Sequence, residues 1–191
     1  MNNFNKNLDD YELWQLLVQG QKDIIEIFYR RYYDLLFNYG LKCYHDEEIV
    51  KDSIQDLFVK IYKSNQLKST TYVKAYLLKA LKNIIFDKLL RNQRKVSLED
   101  EPLDISIDDE SLTQLFEKND TDIRLSKQIL TTYQALPKNQ KMIIYLRYIK
   151  GLSHKEIAEI MDIKVQSSMN LTQRALASIR EQISKFIIFF I

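Results

Sequence analysis

GLSHKEIAEIMDIKVQSSMNLTQRAL, residues 151–176, contains two helical patterns separated by a break near Asp162. Ser153 and Glu156 fit the S-x-x-E capping box, in which each side chain accepts a hydrogen bond from the backbone amide of the other residue. A helix is therefore expected to begin at His154. Aspartate is one of the few residues besides glycine that tolerate a left-handed backbone, which a tight turn at Asp162 would require. The stretch predicts a helix-turn-helix.

The second helix of this pair has a polar face. Val165 and Leu176 are expected to point inward, and the polar side chains offer hydrogen-bond donors and acceptors: Lys164, Gln166, Ser167, Ser168, Asn170, Gln173 and Arg174. In DNA-binding motifs of this kind the second helix enters the major groove, where Gln and Asn suit adenine and Arg suits guanine or phosphate. An ordinary helical hairpin with a solvated polar face is the alternative interpretation of these residues.

The composition of the whole chain favours an all-α fold of two small helical domains. In 191 residues, 46% of them hydrophobic, only three Gly and two Pro are available to interrupt helices. The single cysteine, Cys43, suits a reducing compartment, and the sequence shows neither an export signal nor an apolar stretch long enough to span a bilayer. We expect a cytoplasmic protein without stable membrane insertion.

Charge is strongly segregated along the chain. Residues 73–95 contain seven basic residues and one acidic residue, whereas residues 96–122 contain ten acidic residues and one basic residue. The acidic segment also contains Pro102 and has weak periodicity, so it is predicted to be a flexible linker. The expected parts are a helical domain over 1–95, an acidic linker over 96–122 and a helix-turn-helix domain over 123–191.

Two helices of the first domain carry candidate functional residues. In residues 46–64 an apolar stripe recurs at helical spacing, formed by Val50, Ile54, Leu57, Phe58 and Ile61, while Asp52, Gln55 and Asp56 lie on the opposite face. A second helix is expected from about Thr71 to Arg94, with Tyr72, Tyr76, Lys79 and Asn83 on one side. Aromatic rings beside charge suit unpaired bases. The alternative is that both tyrosines merely close the core.

Together these segments resemble the extracytoplasmic-function (ECF) group of bacterial sigma-70 family transcription initiation factors, particularly the short versions common in Bacteroidetes. DSIQDLFVKIYKS, residues 52–64, is similar to the family's core-polymerase-binding helix. AYLLKALKNIIFDKLLRNQRK, residues 75–95, is similar to its promoter-melting helix, and residues 136–181 are similar to its C-terminal helix-turn-helix.

The resemblance implies a non-enzymatic specificity subunit of RNA polymerase that needs no cofactor or metal. It implies that Asp52, Gln55, Asp56 and Phe58 bind core RNA polymerase. The minus-ten region of promoter DNA would be read and opened by Tyr72, Lys74, Tyr76, Lys79, Lys82, Asn83, Lys88, Arg91 and Lys95. The polar face from Lys164 to Arg174 would read the minus-thirty-five region. The acidic linker would thread the polymerase's active cleft and RNA path, and an anti-sigma factor would be a further partner.

The sequence departs from the family pattern at several positions. Tyr76 replaces the usual Trp, Asp162 replaces Gly, Ser168 replaces a usual Val, and Gln166-Ser167 replaces a Gly-Thr pair. The resemblance therefore implies no base preference for the second helix.

Two other functions stay open at this point. A helix-turn-helix transcriptional regulator would use the N-terminal helices as a ligand sensor and bind DNA without polymerase. An all-helical enzyme is disfavoured, because the two histidines, His45 and His154, lie in different blocks and no nucleotide- or metal-binding motif occurs. The apolar tail, residues 185–191, has no assigned role.

Overall fold

The computed structural model describes residues 8–93 and 129–189. These residues form helices joined by turns and short irregular segments, contain no strand, and fall into two compact units. The predicted all-α fold is confirmed. The predicted linker, residues 96–122, and the candidate residue Lys95 lie outside the described residues. Each unit is described by itself below.

The first unit is built on four helices. Their bounds are Asp10–Val18 for α1, Ile25–Cys43 for α2, Glu47–Lys63 for α3 and Val73–Gln93 for α4, with a short 3-10 turn over Lys22–Ile24. Side-chain caps begin α1 and α3, since Asp9 accepts from the amide of Glu12 and Asp46 accepts from the amide of Ile49. Helices α2, α3 and α4 pack against one another, and α1 contacts α4.

The core of the first unit lies between these helices. All five members of the predicted α3 stripe are buried, which confirms the amphipathic pattern. On α4 the side chains of Val73, Leu77 and Leu81 are buried, whereas Ala80 and Ile84 are half-buried. Trp14 of α1, which periodicity alone did not single out, is completely buried beside them.

Helices α2 and α3 approach closely at one glycine. A Cβ added to Gly40 of α2 would lie 2.5 Å from Cγ1 of Val50 on α3. Real carbon atoms do not approach so closely without moving, so the absence of a side chain at Gly40 sets the separation of these two helices.

The second unit contains the helix-turn-helix. Residues 129–134 are helical, and the bounds of the later helices are Lys138–Ile144 for α5, His154–Met161 for α6 and Val165–Phe189 for α7. Helix α5 continues into a π-helical turn over Tyr145–Ile149, where the amide of Lys150 donates to the carbonyl of Tyr145. Helices α5 and α6 both pack on α7.

Within the described ranges, the structure has no helix with the length and apolar character that crossing a membrane requires.

Candidate functional site

The start of α6 follows the predicted capping box. The amide of Ser153 donates to Oε2 of Glu156 at 2.8 Å, and the amide of Glu156 donates to the Ser153 hydroxyl at 3.3 Å. The helix begins at His154, as predicted, and ends at Asp162, whose backbone is left-handed with φ of 57° and ψ of 44°. Both sequence signals are therefore confirmed: the capping box at the start of α6 and the left-handed residue that begins the turn to α7.

The buried face of α7 carries small side chains. Ser168, Thr172 and Ala175 recur at helical spacing and are 0–5% exposed. The Ser168 hydroxyl is hydrogen-bonded to Nδ1 of His154 at 2.9 Å. The prediction that Ser168 contacts DNA is therefore wrong, because its side chain is enclosed between the two helices.

The expected inward orientation of Val165 and Leu176 is also wrong. Val165 is 41% exposed and Leu176 is 36% exposed. By helical spacing both lie on the side of α7 that carries Thr172, at about 20° and about 40° from it around the axis, and both are nevertheless partly exposed.

The outer face of α7 carries the remaining candidates. Gln166, Ser167, Asn170, Gln173 and Arg174 are exposed, as is Lys164 just before the helix. Nε2 of Gln166 donates to Oδ1 of Asn170 at 3.0 Å, which links the two amides one turn apart. Residues 165–173 contain no Lys or Arg, and the exposed Met169 lies between these amides in sequence.

His154 lies at the joint of the two helices. Burial lowers the pKa of His154 below its ordinary value, and the positive charge of Arg147 lowers it further. Arg147 is itself held by a hydrogen bond from its guanidinium to the carbonyl of Leu152 at 2.9 Å. A neutral His154 is thus favoured where α6 and α7 meet.

The candidate aromatic residues of the first unit lie at the beginning of α4. Tyr72 is half-buried, and Tyr76 is 37% exposed with its ring 4.9 Å from Trp14. Burial raises the pKa of the Tyr76 hydroxyl, so this side chain is neutral at physiological pH. Tyr76 both closes the core against Trp14 and presents part of its ring to solvent, which combines the two interpretations of this residue.

Helix α1 holds the segment that precedes α4. The indole N–H of Trp14 donates to the carbonyl of Lys68 at 2.9 Å, and Nε2 of Gln15 donates to the Ser69 hydroxyl at 2.7 Å. The sequence pattern did not indicate this contribution of α1. Periodicity within a short helix does not show which distant segment of the chain a single Trp contacts.

The polar side chains of α4 differ in exposure. Asn83 and Arg91 are exposed, whereas the lysines are half-buried: Lys74, Lys79, Lys82 and Lys88. Lys88 forms a salt bridge with Asp56 of α3, with 2.8 Å between Nζ and Oδ2. Two residues that the resemblance assigned to different partners are therefore paired with each other.

The outer face of α3 presents the predicted polar residues but not the predicted ring. Asp52, Gln55 and Asp56 are exposed. Phe58 is only 6% exposed and packs edge-on against Tyr29 of α2, with 5.1 Å between ring centroids. Phe58 thus takes part in the α2–α3 contact and offers a partner only a small surface.

An apolar groove of about 520 Å³ runs between α2 and α3 beside this polar face. Phe58 contributes to its lining, and the exposed apolar side chains are those of Tyr29, Val59 and Tyr62. Sequence reasoning missed these three residues. Val59 and Tyr62 lie immediately outside the apolar stripe of α3, so only the packing of α2 shows that they line a groove.

No group of three or more potential metal-ligating side chains was found within residues 8–93 and 129–189. Cys43 is buried there.

Two family models match the chain, one in each unit. The model described as Sigma-70 region 2 matches residues 28–95, and the model described as Sigma-70, region 4 matches residues 126–179. The first range contains most of α2 with α3 and α4, and the second contains the helix-turn-helix.

Curated relatives match over most of the chain. The ECF RNA polymerase sigma factor SigM of Bacillus subtilis is 24% identical over 152 residues, covering 79% of this chain and 90% of SigM. The ECF RNA polymerase sigma-E factor of Haemophilus influenzae is 26% identical over 187 residues, covering 93% of this chain and 97% of the relative.

A solved structure has the same fold. The structure of CnrH in complex with the cytosolic domain of CnrY matches with a TM-score of 0.57 at 17% identity, covering 92% of this chain and 97% of the matched chain. Two sigma-70 regions in one chain, together with ECF relatives matched along most of their length, show that this protein belongs to the ECF group of the sigma-70 family, the RNA polymerase sigma factors that direct transcription initiation.

Proposed function

We propose that this sigma factor binds core RNA polymerase through α3 and contacts promoter DNA through α4 and α7. The observation that carries the proposal is the arrangement of α3 and α4. The polar face of α3 and the lysine-rich surface of α4 belong to one packed unit, so a protein surface and a DNA surface can act together. The helix-turn-helix supplies a second DNA contact.

The polymerase contact consists of exposed carboxylates and an amide next to an apolar surface. Asp52, Gln55 and Asp56 provide the polar part. The groove lined by Tyr29, Val59 and Tyr62 extends it with apolar area that a partner can bury. Phe58 belongs to the lining of the same groove and is part of the proposed contact.

The minus-ten contact is formed by the first unit. Its aromatic members provide stacking surfaces for unpaired bases, and its basic members neutralise phosphates. We assign to it Tyr72, Lys74, Tyr76, Lys79, Lys82, Asn83, Lys88, Arg91 and, beyond the described residues, Lys95.

The minus-thirty-five contact is the outer face of α7. It comprises Lys164, Gln166, Ser167, Asn170, Gln173 and Arg174, without the buried Ser168. Hydrogen-bonding side chains on the second helix of such a motif reach base edges in the major groove.

We also propose roles for the parts of the chain, a cellular location and a further partner. The polymerase-binding domain comprises residues 1–95, and the DNA-binding domain comprises residues 123–191. The acidic linker between them, residues 96–122, faces basic walls of the polymerase channel. The protein acts in the cytoplasm, as a binding subunit rather than an enzyme. An anti-sigma factor is proposed as a further partner, which the complex of CnrH with CnrY supports by analogy of fold.

The test is initiation by reconstituted holoenzyme. The purified chain is mixed with bacterial core RNA polymerase and a library of random promoter-length DNA, and transcripts are sequenced. We expect selective initiation, lost in Asp52→Ala/Asp56→Ala.

The control is Asp23→Ala/Asp34→Ala, which removes two exposed carboxylates of the same unit that lie outside α3 and should leave initiation unchanged. Tight sequence-specific binding without polymerase, and no effect on initiation, would contradict the proposal and favour a regulator with an N-terminal sensor.

A further inference from the structure

The hydrogen bond between Gln166 and Asn170 orients both amides on the outer face of α7. Gln166 uses one N–H of Nε2 to reach Oδ1 of Asn170 at 3.0 Å. Its second N–H and its Oε1 stay available, and both side chains are exposed. An amide that offers one donor and one acceptor side by side matches N7 and N6 of adenine in the major groove. The hydrogen bond to Asn170 leaves this donor and acceptor of Gln166 available.

Two apolar side chains lie next to this amide pair. Val165 is 41% exposed and Met169 is 40% exposed. At 100° per residue, Met169 projects about 60° from Gln166 around the helix axis, and Val165 about 100° from it. A thymine methyl group is the apolar feature that the major groove presents to such side chains.

No Lys or Arg lies within the first two turns of α7, although the exposed Lys164 directly precedes the helix. The nine residues from Val165 to Gln173 contain no Lys and no Arg, and Arg174 follows only in the third turn. The commonest contact to guanine is bidentate and requires one of these two residues. The uncharged side chains on the first two turns of α7 therefore suit A·T base pairs better than guanine.

We infer that α7 reads an A·T-rich upstream promoter element, in which Gln166 binds adenine, Asn170 positions Gln166, and Val165 and Met169 contact thymine methyl groups. This inference rests on the proposed role of α7 in binding the minus-thirty-five region.

The experiment uses full-length holoenzyme and a promoter from the initiation library, with the base pairs of its upstream element randomised. We expect adenine or thymine to be selected at the pairs that face the start of α7. Gln166→Ala should lower the preference for adenine at one position roughly 5- to 150-fold. Asn170→Ala should relax the preference at that same position, whereas Asn170→Asp, which keeps the acceptor for Gln166, should retain it.

The apolar contact is tested on the DNA side. Replacing a selected thymine by deoxyuridine removes one methyl group and leaves base pairing intact, so it should reduce initiation roughly fourfold. If Met169 contacts that methyl group, the deoxyuridine replacement should not reduce initiation by the Met169→Ala variant. If Val165 contacts it, the same result is expected for Val165→Ala. The matched control is Gln182→Ala, an exposed amide on α7 beyond the motif, which should preserve every preference.

Two results would overturn the inference: guanine or cytosine selected at these positions, or an adenine preference unchanged by Gln166→Ala. Both require a holoenzyme that initiates, so they are distinct from failure of the proposed function, in which no promoter is selected at all.

Discussion

His154 illustrates how one residue couples local and tertiary structure. It is the first residue of α6, and its ring accepts or donates a hydrogen bond at the buried Ser168 of α7. Arg147 lies near enough to oppose a positive charge on the ring, and Glu156 in the same turn is bonded to Ser153. Protonation of His154 would place a charge at the joint between the two helices.

We predict that the second unit loses stability as the pH falls from about 7 towards 5. The pKa of His154 is lowered in the folded state, so the unfolded chain takes up a proton at a higher pH, near the ordinary value of about 6.5. Below that value the unfolded state binds more protons and is favoured, until the folded pKa is also passed. Denaturant unfolding at pH 5, 6, 7 and 8, followed by helix signal, measures the effect.

The comparison variant is His154→Gln, which keeps hydrogen bonding and does not titrate. It should show a shallower dependence on pH than the wild type. Equal slopes in the two proteins would contradict the role of His154, and His45→Gln, at the exposed histidine of the other unit, is the matched substitution.

At the scale of elements, the contact of α2 with α3 depends on one missing side chain. The 2.5 Å distance from a Cβ at Gly40 to Val50 is too short for two carbons. An alanine at this position gains about 1 kcal/mol of helix propensity, but forcing a methyl group into a packed contact costs about 1–3 kcal/mol. The steric cost is the larger of the two effects, because Val50 is fully buried and has no space into which to move.

We predict that Gly40→Ala lowers the free energy of unfolding of the first unit, measured by urea denaturation. Val50→Ala should also be destabilising, since it removes two buried methyl groups. The double variant should be more stable than the sum of the two single losses, because the new methyl group occupies the vacated space. Strict additivity would show that the two residues do not share this contact.

The salt bridge between α3 and α4 has a consequence for both proposed interfaces. Asp56 is largely exposed and Lys88 is partly buried, so the pair itself contributes at most about 1 kcal/mol. In the free protein the carboxylate nevertheless competes with phosphate for the Lys88 ammonium. Binding of Asp56 to a cationic group of the polymerase would release Lys88 for DNA.

We predict that Asp56→Asn raises the affinity of the free protein for single-stranded promoter DNA, by up to about fivefold at low salt. Fluorescence anisotropy with a labelled minus-ten oligonucleotide measures this change. Asp52→Asn removes the same charge from the same face without freeing Lys88, and it should produce a smaller increase. Equal increases in both variants would indicate a general effect of charge rather than competition for Lys88.

At the scale of the whole molecule, each unit has a core of its own. The core of the first unit includes the fully buried Trp14, Leu77 and Leu81. The core of the second unit includes the fully buried Ile143 and Leu146. Such cores are what independent folding requires. The proposed polymerase contact and the proposed upstream DNA contact therefore lie in separate units.

We predict that residues 1–95 and residues 123–191, expressed separately, each unfold cooperatively in thermal melts followed by circular dichroism. Only the first fragment should bind core RNA polymerase, and Asp52→Ala/Asp56→Ala should abolish that binding. A fragment that melts without a transition would show that its core is incomplete without the other part of the chain.

Much of the fold follows from the sequence, because local signals act over one or two helical turns. The capping box of Ser153 and Glu156, the left-handed turn at Asp162 and the apolar stripe of α3 all depend on residues within a few positions of one another. The polar face of α7 also follows from local spacing, since five of the six candidate DNA-binding residues within this helix are exposed. The π-helical turn after Ile144 was not foreseen, since no single residue signals it.

Local patterns along the chain are thus sufficient to predict an all-α protein and the start and end of the first helix of the helix-turn-helix. Which side chains remain available at the surface depends on how neighbouring helices pack. The tertiary structure buried Ser168 against His154 and Phe58 against Tyr29, exposed Val165 and paired Lys88 with Asp56. The physical reason is that periodicity describes one helix, whereas burial and ion pairing depend on the distance and orientation of the neighbouring helix.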